Sequence, residues 1–480
     1  MYVKQLYTEC LSEAAYFVES EGEAAVIDPL RDIDVYLELA KERKATIKYI
    51  FETHFHADFV SGHLDLSKAT GAPIIYGPGA KTSFPVLVAR DSQVFPLGNI
   101  SFTVLHTPGH TPESACYLLK NSEDKDYCVF TGDTLFAGDV GRPDLAQAAT
   151  HMTSEELAAT LFDSLQRKIL PLADDVIVYP GHGAGSACGK HLNRQPFSTI
   201  GAEKSTNYAL QASTREAFVK AVTEGLDAPP NYFPINAKIN KEGYENMEDV
   251  LQKGLTPLTV DEVKQQLEND AVLLDTRQPQ EFVQGFIPGS ISIGLDGRFA
   301  EWAGTLLPFD KPLVLVTDEG SEKESIVRLA RVGLSNVIGY AAGGYAAWQA
   351  AGEPIDLVIE VEADELAMDI PFDDNLVVLD VRKPAEFTEG HVKDAQNIPL
   401  AELKDPLNMA TLEEEQNVYI HCGSGYRSVV AASLLKRQGI HNIRNVVGGW
   451  KAIQQEKRIP TEKEDPNAKP APPESDHLLN

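Results

Sequence analysis

Cysteine is scarce in this 480-residue chain: Cys10, Cys116, Cys128, Cys188 and Cys422 are five residues at irregular spacings. So few thiols build no disulfide framework and suit a reducing compartment, which makes the cytoplasm the expected location. Long apolar runs are missing as well. No stretch approaches the roughly 18 consecutive apolar residues that span a bilayer. Met1 to Val18 has no basic leader, and Glu9 and Glu13 interrupt its apolar residues, so it does not read as a signal peptide. Positive charge is also in deficit. A net charge of −29 repels nucleic acid and anionic membrane surfaces, and neither is expected as a partner.

What is present is an ordinary globular composition, 43% hydrophobic and 24% charged, in a chain too long for one core. Two to four domains are expected. Residues 1–225 carry short apolar runs closed by turn residues: AAVID at 24–28, IKYIF at 47–51, ISFTVL at 100–105, DYCVFTGD at 126–133 and DVIVYPGH at 175–182. Helix-like segments at 33–43 and 154–165, the second with a start capped at Ser154, lie between them and imply a layered α/β architecture. Residues 228–241, rich in Pro and Asn, read as a linker or wrapping segment.

The rest of the chain holds an internal repeat of roughly 105 residues. VLLDTRQPQEFVQGFIPGSISI begins at Val272 and VVLDVRKPAEFTEGHVKDAQNI at Val377, and the copies end in GYAAGGYAAW and NVVGGWKAI. Apolar strand, turn, helix and strand in each copy fit a parallel sheet. The expected division is 1–240 (with 228–255 partly linker), 256–355, 360–458, and a charged, Pro-rich, disordered tail at 459–480.

The strongest local signal is His54-Phe-His56-Ala-Asp58, directly after the apolar run IKYIFET. His110 in HTPGHT, Asp133 in FTGDT and His182 in YPGHG each follow another such run. A lone histidine after a strand is usually a capping or surface residue. Four of them with two aspartates, all beside Gly or Thr turns, are not independent accidents. Imidazole and carboxylate are the donors of a catalytic divalent metal site.

These residues resemble the metallo-β-lactamase superfamily, whose pattern runs THxHxDH…H…D…H. The resemblance implies an αββα sandwich. One departure matters: Phe59 stands where the dinuclear zinc hydrolases of that family have a histidine for their second metal. The subgroup it is most similar to is the persulfide dioxygenases, which implies a single Fe(II) per chain on His54, His110 and Asp133, with O2 as co-substrate. His56, Asp58 and His182 then become outer or alternative metal residues. GDVGRPDL at 138–145 also matches that subgroup. Arg142 is a candidate for binding substrate or bracing the site through Asp144. Arg194 and Lys204 are candidates for carboxylates of a carrier thiol.

In the second repeat the strand NVYIH runs into Cys422-Gly-Ser-Gly-Tyr-Arg427 and then a helical stretch. Such a loop points amides at one centre, and the helix N-terminus adds partial positive charge. A thiolate is favoured there, as a persulfide carrier requires. Residues 360–458 resemble the rhodanese family, with Cys422 catalytic and Arg427 as a cationic donor. In the first copy, aligning LVLVTDEG with NVYIHCGS puts Asp318 opposite Cys422, so residues 256–355 are expected to be a silent rhodanese-like domain.

Together the resemblances imply a sulfide-detoxifying persulfide dioxygenase and sulfurtransferase. It would oxidise glutathione persulfide, coenzyme A persulfide or a similar thiol persulfide to sulfite. Through Cys422 it would convert sulfite to thiosulfate or run the reverse. Homo-oligomers are compatible with the sequence. The alternatives are a zinc-dependent glyoxalase II-like thioester hydrolase, and a sulfur-carrier or docking protein.

Overall fold

The computed structural model describes residues 1–463, and the chain divides into two compact units. Residues 1–255, with 297–305 and 323–337, make the first; residues 256–296, 306–322 and, among the described residues, 338–463 make the second. No helix of the described residues is long and apolar enough to cross a membrane.

The first unit is built on two six-stranded sheets. One runs in the order Tyr2–Thr8, Glu13–Ser20, Glu23–Ile27, Thr46–Phe51, Ile74–Tyr76, Leu87–Val88. The other runs Ser198–Thr199, Ile177–Pro180, Asp126–Gly132, Ala115–Lys120, Ile100–His106, Val94–Leu97. Strand Glu13–Ser20 shows why they pack face to face. All eight of its residues are buried, and successive side chains point to opposite faces. Ala14, Tyr16 and Val18 enter a core shared with Phe102, Tyr117 and Phe130 of the second sheet. Ala15 and Phe17 enter another with Tyr36, Leu39 and Leu66 of helices Asp34–Arg43 and His63–Thr70. On the far side, Leu118, Val129 and Val178 pack against Leu161 and Phe218 of helices Ser154–Ser164 and Arg215–Thr223. The result is a four-layer αββα sandwich.

Two local expectations are corrected. The helix at 154 is capped one residue earlier than Ser154: the Thr153 hydroxyl accepts from Glu156 N at 3.2 Å, and Glu156 returns a carboxylate to Thr153 N at 2.9 Å. Residues 228–241 are not simply a linker, since Phe233–Glu242 is a helix with Pro234 in its first turn and Asn236 and Asn240 buried.

Part of the first repeat packs into this unit. Arg31 is 1% exposed; its Nη1 donates to Ser335 Oγ at 2.9 Å and its Nη2 to the Glu245 carbonyl. Val60 N donates to the Arg331 carbonyl at 2.6 Å. The Arg331 guanidinium forks onto both Asp32 oxygens at 3.0 and 2.8 Å.

The second unit contains two five-stranded parallel sheets of one topology. The first is ordered Pro257–Leu258, Val337–Ala341, Leu313–Val316, Val272–Asp275, Ile291–Ser292; the second Ile359–Val361, Ile443–Val446, Asn417–His421, Leu376–Asp380, Gln396–Asn397. The repeat extends to hydrogen bonds. Arg277 closes on Asp275 and donates to Gly285 O at 3.0 Å; Arg382 closes on Asp380 and donates to Gly390 O at 2.7 Å. Each guanidinium lies over a ring, Tyr345 at 4.5 Å and Trp450 at 4.6 Å.

Strand pairing also corrects the alignment of the copies. Asp275 pairs with Val316 as Asp380 pairs with His421. The next residues, Thr317 and Cys422, are therefore equivalent, rather than Asp318 and Cys422. A Cβ on Gly344 would meet Thr317 O as one on Gly449 would meet Cys422 O, which marks the same correspondence. Beyond the second sheet, Thr461–Glu462 pairs with His391–Val392, within the segment expected to be a tail. Residues 464–480 of that tail lie outside the described residues.

Asp380→Ala and Asp275→Ala should each strand a buried guanidinium and cost about 3–5 kcal/mol in the repeat concerned. Hydrogen exchange resolved along the chain would register each loss separately. Undiminished protection of Leu376–Asp380 in Asp380→Ala would contradict the pair's role.

Candidate metal centre and thiol loop

The constellation is assembled by strand ends. His54 follows Thr46–Phe51, His110 follows Ile100–His106, Asp133 follows Asp126–Gly132 and His182 follows Ile177–Pro180. Close approach depends on glycine in the loop after Asp133. A Cβ on Gly141 would lie 1.9 Å from the Asp133 carbonyl and 3.0 Å from His110 Nδ1.

His54, His110 and Asp133, all buried, bring one donor atom each within 4.8 Å of the others. His54 Nε2 and His110 Nε2 lie 3.8 and 3.5 Å from Asp133 Oδ2. That separation suits a shared metal, because ligand atoms about 2.1 Å from one ion stand roughly 3–3.5 Å apart. Asp133 Oδ2 is buried without a hydrogen-bond partner, and such an orphan is expensive unless a cation meets it. The rings are held by their other nitrogens: His54 Nδ1 is 2.9 Å from Thr53 Oγ1, and His110 Nδ1 is 2.9 Å from Arg142 O. Outer contacts of this kind turn Nε2 toward a metal. Burial, then the neighbouring His56, pushes the His54 pKa well down, so its imidazole stays neutral.

His56 is brought close but faces elsewhere. Its Nε2 lies 3.1 Å from Asp28 Oδ1 and 3.5 Å from Glu52 Oε2, and its ring is tilted over that of Phe59 at 4.2 Å. Burial opposes a charge there, yet Asp28 and Glu52 outweigh it and raise the His56 pKa well above its usual value. Phe59 is wholly buried. Asp58 and His182 meet at 2.7 Å through Oδ2 and Nε2, and His182 Nδ1 is 2.8 Å from Asp133 Oδ1. Burial works against the Asp133 charge, but His182 and then His54 outweigh it and hold the carboxyl well below the usual range.

Of the two roles expected for Arg142, the contacts match the brace through Asp144: its Nε and Nη2 fork onto Asp144 at 2.7 Å each, Nη1 donates to Ala187 O at 3.0 Å and Nη2 to Asp227 O at 2.6 Å. Lys204 Nζ donates to Asp174 at 2.7 Å and to Leu172 O at 3.3 Å, away from the cluster. Arg194 is exposed.

Several contributors escaped the sequence reading. Asp28 and Glu52 ended apolar runs without a motif around them. Asn240 gave no signal at all. Its Nδ2 donates to His56 O and Phe59 O, both at 2.8 Å, and its Oδ1 accepts from Ser61 N at 2.9 Å. Cys188, taken only as a scattered thiol, lies against Asp58 and His182.

In the second unit, Cys422 is 1% exposed at the end of Asn417–His421, and Gly425 N donates to its Sγ at 3.2 Å. Gly425, at φ +118°, opens helix Tyr426–Arg437. Of the several loop amides expected at this centre, that of Gly425 meets the sulfur, and Arg427 is not free to bind an anion. Its Nη1 and Nη2 fork onto Glu386 at 2.7 and 2.8 Å, which fixes the loop and holds the Glu386 carboxyl below its usual range.

The sandwich with His and Asp gathered at its strand ends defines the metallo-β-lactamase class of fold. The family model of the metallo-beta-lactamase superfamily matches residues 8–182, and that of the rhodanese-like domain matches 259–351 and 362–456. The hydroxyacylglutathione hydrolase GloC of Haemophilus influenzae is 28% identical over 37% of this chain and 89% of its own. A probable hydroxyacylglutathione hydrolase of Schizosaccharomyces pombe is 32% identical over 38% of this chain and 69% of its own. The crystal structure of a metallo-beta-lactamase from Staphylococcus aureus is 33% identical, covers 71% of this chain and 99% of its own, and superposes with a TM-score of 0.63. The chain belongs to the metallo-beta-lactamase superfamily and carries two rhodanese-like domains after that fold.

Asn240→Ala should weaken metal retention by about 10–100-fold, the usual effect of losing an outer contact. Equilibrium dialysis against a divalent metal would measure it. Parental affinity would show that the His56–Ser61 backbone holds its place without the amide.

Proposed function

We propose that the chain is an iron-dependent persulfide dioxygenase whose last domain is a sulfurtransferase. The observation that carries this reading is the donor set: His54, His110 and Asp133 converge, His56 is turned to Asp28 and Glu52, and Phe59 fills the place of a second-metal histidine. Two imidazoles and one carboxylate are the ligands of non-haem Fe(II) oxygenases. Ferrous iron held by these three would supply the redox chemistry that adds dioxygen to a persulfide sulfur. The reaction balances as R–S–S⁻ + O2 + H2O giving R–SH, sulfite and one proton.

The chain's own groups set the conditions. Thr53 Oγ1 and the Arg142 carbonyl keep both imidazoles aimed inward. Phe59 and Phe136, both fully buried, keep bulk water from the cluster. His182, between the carboxylates of Asp133 and Asp58, can hold the proton released. In the last domain the Cys422 thiolate would take the terminal sulfur of a second persulfide, releasing R–S⁻, and pass it to sulfite to give thiosulfate. The amide of Gly425 supports the thiolate. With Thr317 at the equivalent position, the first copy has no sulfur nucleophile and serves no transfer.

A second reading has an observation behind it: both curated relatives named above are hydroxyacylglutathione hydrolases. A zinc thioester hydrolase would use metal-activated hydroxide. Metal analysis and assays on one preparation separate the two readings. One iron per chain with persulfide-dependent O2 uptake supports the dioxygenase; two zinc ions with thioester hydrolysis and no O2 uptake supports the hydrolase.

His110→Ala and Asp133→Ala should abolish both iron binding and O2 uptake, since each removes a donor of three. Full iron content and activity in either variant would refute the assignment. Cys422→Ser replaces a good nucleophile with a hydroxyl that stays protonated near neutral pH. It should consume O2 as the parent does but release sulfite in place of thiosulfate. Thiosulfate formed at the parental rate would overturn the transfer role.

A further inference from the structure

Helix Tyr426–Arg437 is covered on more than the side that faces its own sheet. Ser428 to Leu435 are buried in unbroken succession, and a helix packed along one face alone leaves its opposite face in water. One side meets strands Asn417–His421 and Ile443–Val446; another meets strand Ile291–Ser292 and helix Pro279–Gln284 of the first repeat. Hydrogen bonds cross between the repeats along its length. Tyr426 Oη donates to Gly294 O at 2.8 Å, Ser433 Oγ accepts from Ser292 N at 3.0 Å, and Arg437 Nη1 donates to Gly289 O at 2.6 Å. Residues 426, 433 and 437 are two turns and then one turn apart, so they lie on one stripe of the helix.

That stripe begins beside the thiol. Gly425 N donates to Cys422 Sγ at 3.2 Å, and Gly425 has φ +118° with nothing within 4 Å of where a Cβ would stand. No side chain of its own fixes that amide, so its direction follows from the residues on either side. Cys422 is anchored through its carbonyl, which accepts from Trp450 N at 2.7 Å. On the helix side, Arg427 is held by Glu386 and Tyr426 by the Gly294 carbonyl. Of these contacts, only that of Tyr426 reaches outside residues 360–458.

We propose that Tyr426 is a positioning residue for Cys422: its bond to the first repeat holds the first turn of the helix so that the Gly425 amide points at the sulfur. The inference rests on the reading of Cys422 as the thiolate of the sulfurtransferase. A thiolate accepts more strongly from that amide than a thiol does, and it faces the helix end where partial positive charge gathers. A tilt of the first turn weakens both effects, and the thiol form gains at the expense of the thiolate. The first repeat carries no sulfur; its contribution at this thiol is the direction of one hydrogen bond. The coupling runs both ways, so a negative charge held at Cys422 in turn steadies the segment around Gly294.

The test uses the full chain and the substitution Tyr426→Phe, which keeps the ring and removes one hydroxyl. The rate at which iodoacetamide alkylates Cys422, followed by peptide mass spectrometry across neutral and alkaline pH, reports the thiolate without a transfer assay. In Tyr426→Phe the profile should move to higher pH, with the rate near neutral pH lowered about 3–10-fold, the usual worth of one hydrogen bond. Ser433→Ala removes a crossing bond two turns further along and should keep the parental profile. A parental profile in Tyr426→Phe, or an equal shift in Ser433→Ala, overturns the proposal. A second measurement needs no variant. When thiosulfate loads Cys422, the thiolate takes the outer sulfur and sulfite leaves; hydrogen exchange in residues 286–296 should then slow. Exchange unchanged there, with the load confirmed by mass, also overturns the proposal. Failure of thiosulfate to load Cys422 at all would count against the sulfurtransferase reading, while the alkylation profiles would still decide the role of Tyr426.

Discussion

A carboxylate removed from water must be met by positive charge or by donors, and the strand ends of the first unit gather around one such carboxylate, Asp133. It is 2% exposed. One oxygen faces His182 at 2.8 Å; the other faces His54 and His110 and is bonded to nothing. Burying it without compensation would cost several kcal/mol. The loops around it therefore bring imidazoles from separate strand ends, glycines where the backbone comes closest, and a second layer of Thr53, Arg142, Asp28 and Glu52 that orients those imidazoles. Two buried carboxylates, Asp28 and Glu52, draw His56 aside, and the Phe59 ring packs against its imidazole.

The rhodanese-like domains apply a similar logic to a thiol. An aspartate and an arginine two residues apart, stacked on an aromatic ring, recur in both copies and are structural. Their survival in a copy without a sulfur nucleophile shows that the motif maintains the fold. The copies differ at the residue that follows the central strand, Cys422 in one and Thr317 in the other.

Much of this was legible in the sequence, for identifiable reasons. Alternating apolar and turn residues announced the strands, and donors placed directly after apolar runs announced the strand ends where they meet. The repeat was visible because Asp-x-Arg and Gly-Gly are both sequence and structure. What could not be read depended on register or on distance along the chain. Thr317 and Asp318 are adjacent, and only strand pairing separates them. Asn240 reaches His56 from 184 residues away, and nothing local to either residue reports the contact. Arg427 was rightly placed near its cysteine, but the sequence could not show that Glu386, 41 residues earlier, already occupies it. Arg142 was located by its motif, while its four acceptors come from three separate segments.

The first unit's use of residues 323–337 means that the repeat boundary in the sequence is not a boundary at which the chain can be divided. Cut after residue 255, Arg31 would keep only part of its acceptors, Val60 N would lose its acceptor, and Asp32 would lose its guanidinium donor. The first repeat is in this sense an inseparable part of its neighbour. The carbonyl of Arg331, at the end of its helix Glu322–Arg331, holds the segment next to the His54–Asp58 loop, an architectural role that needs no thiol in that repeat.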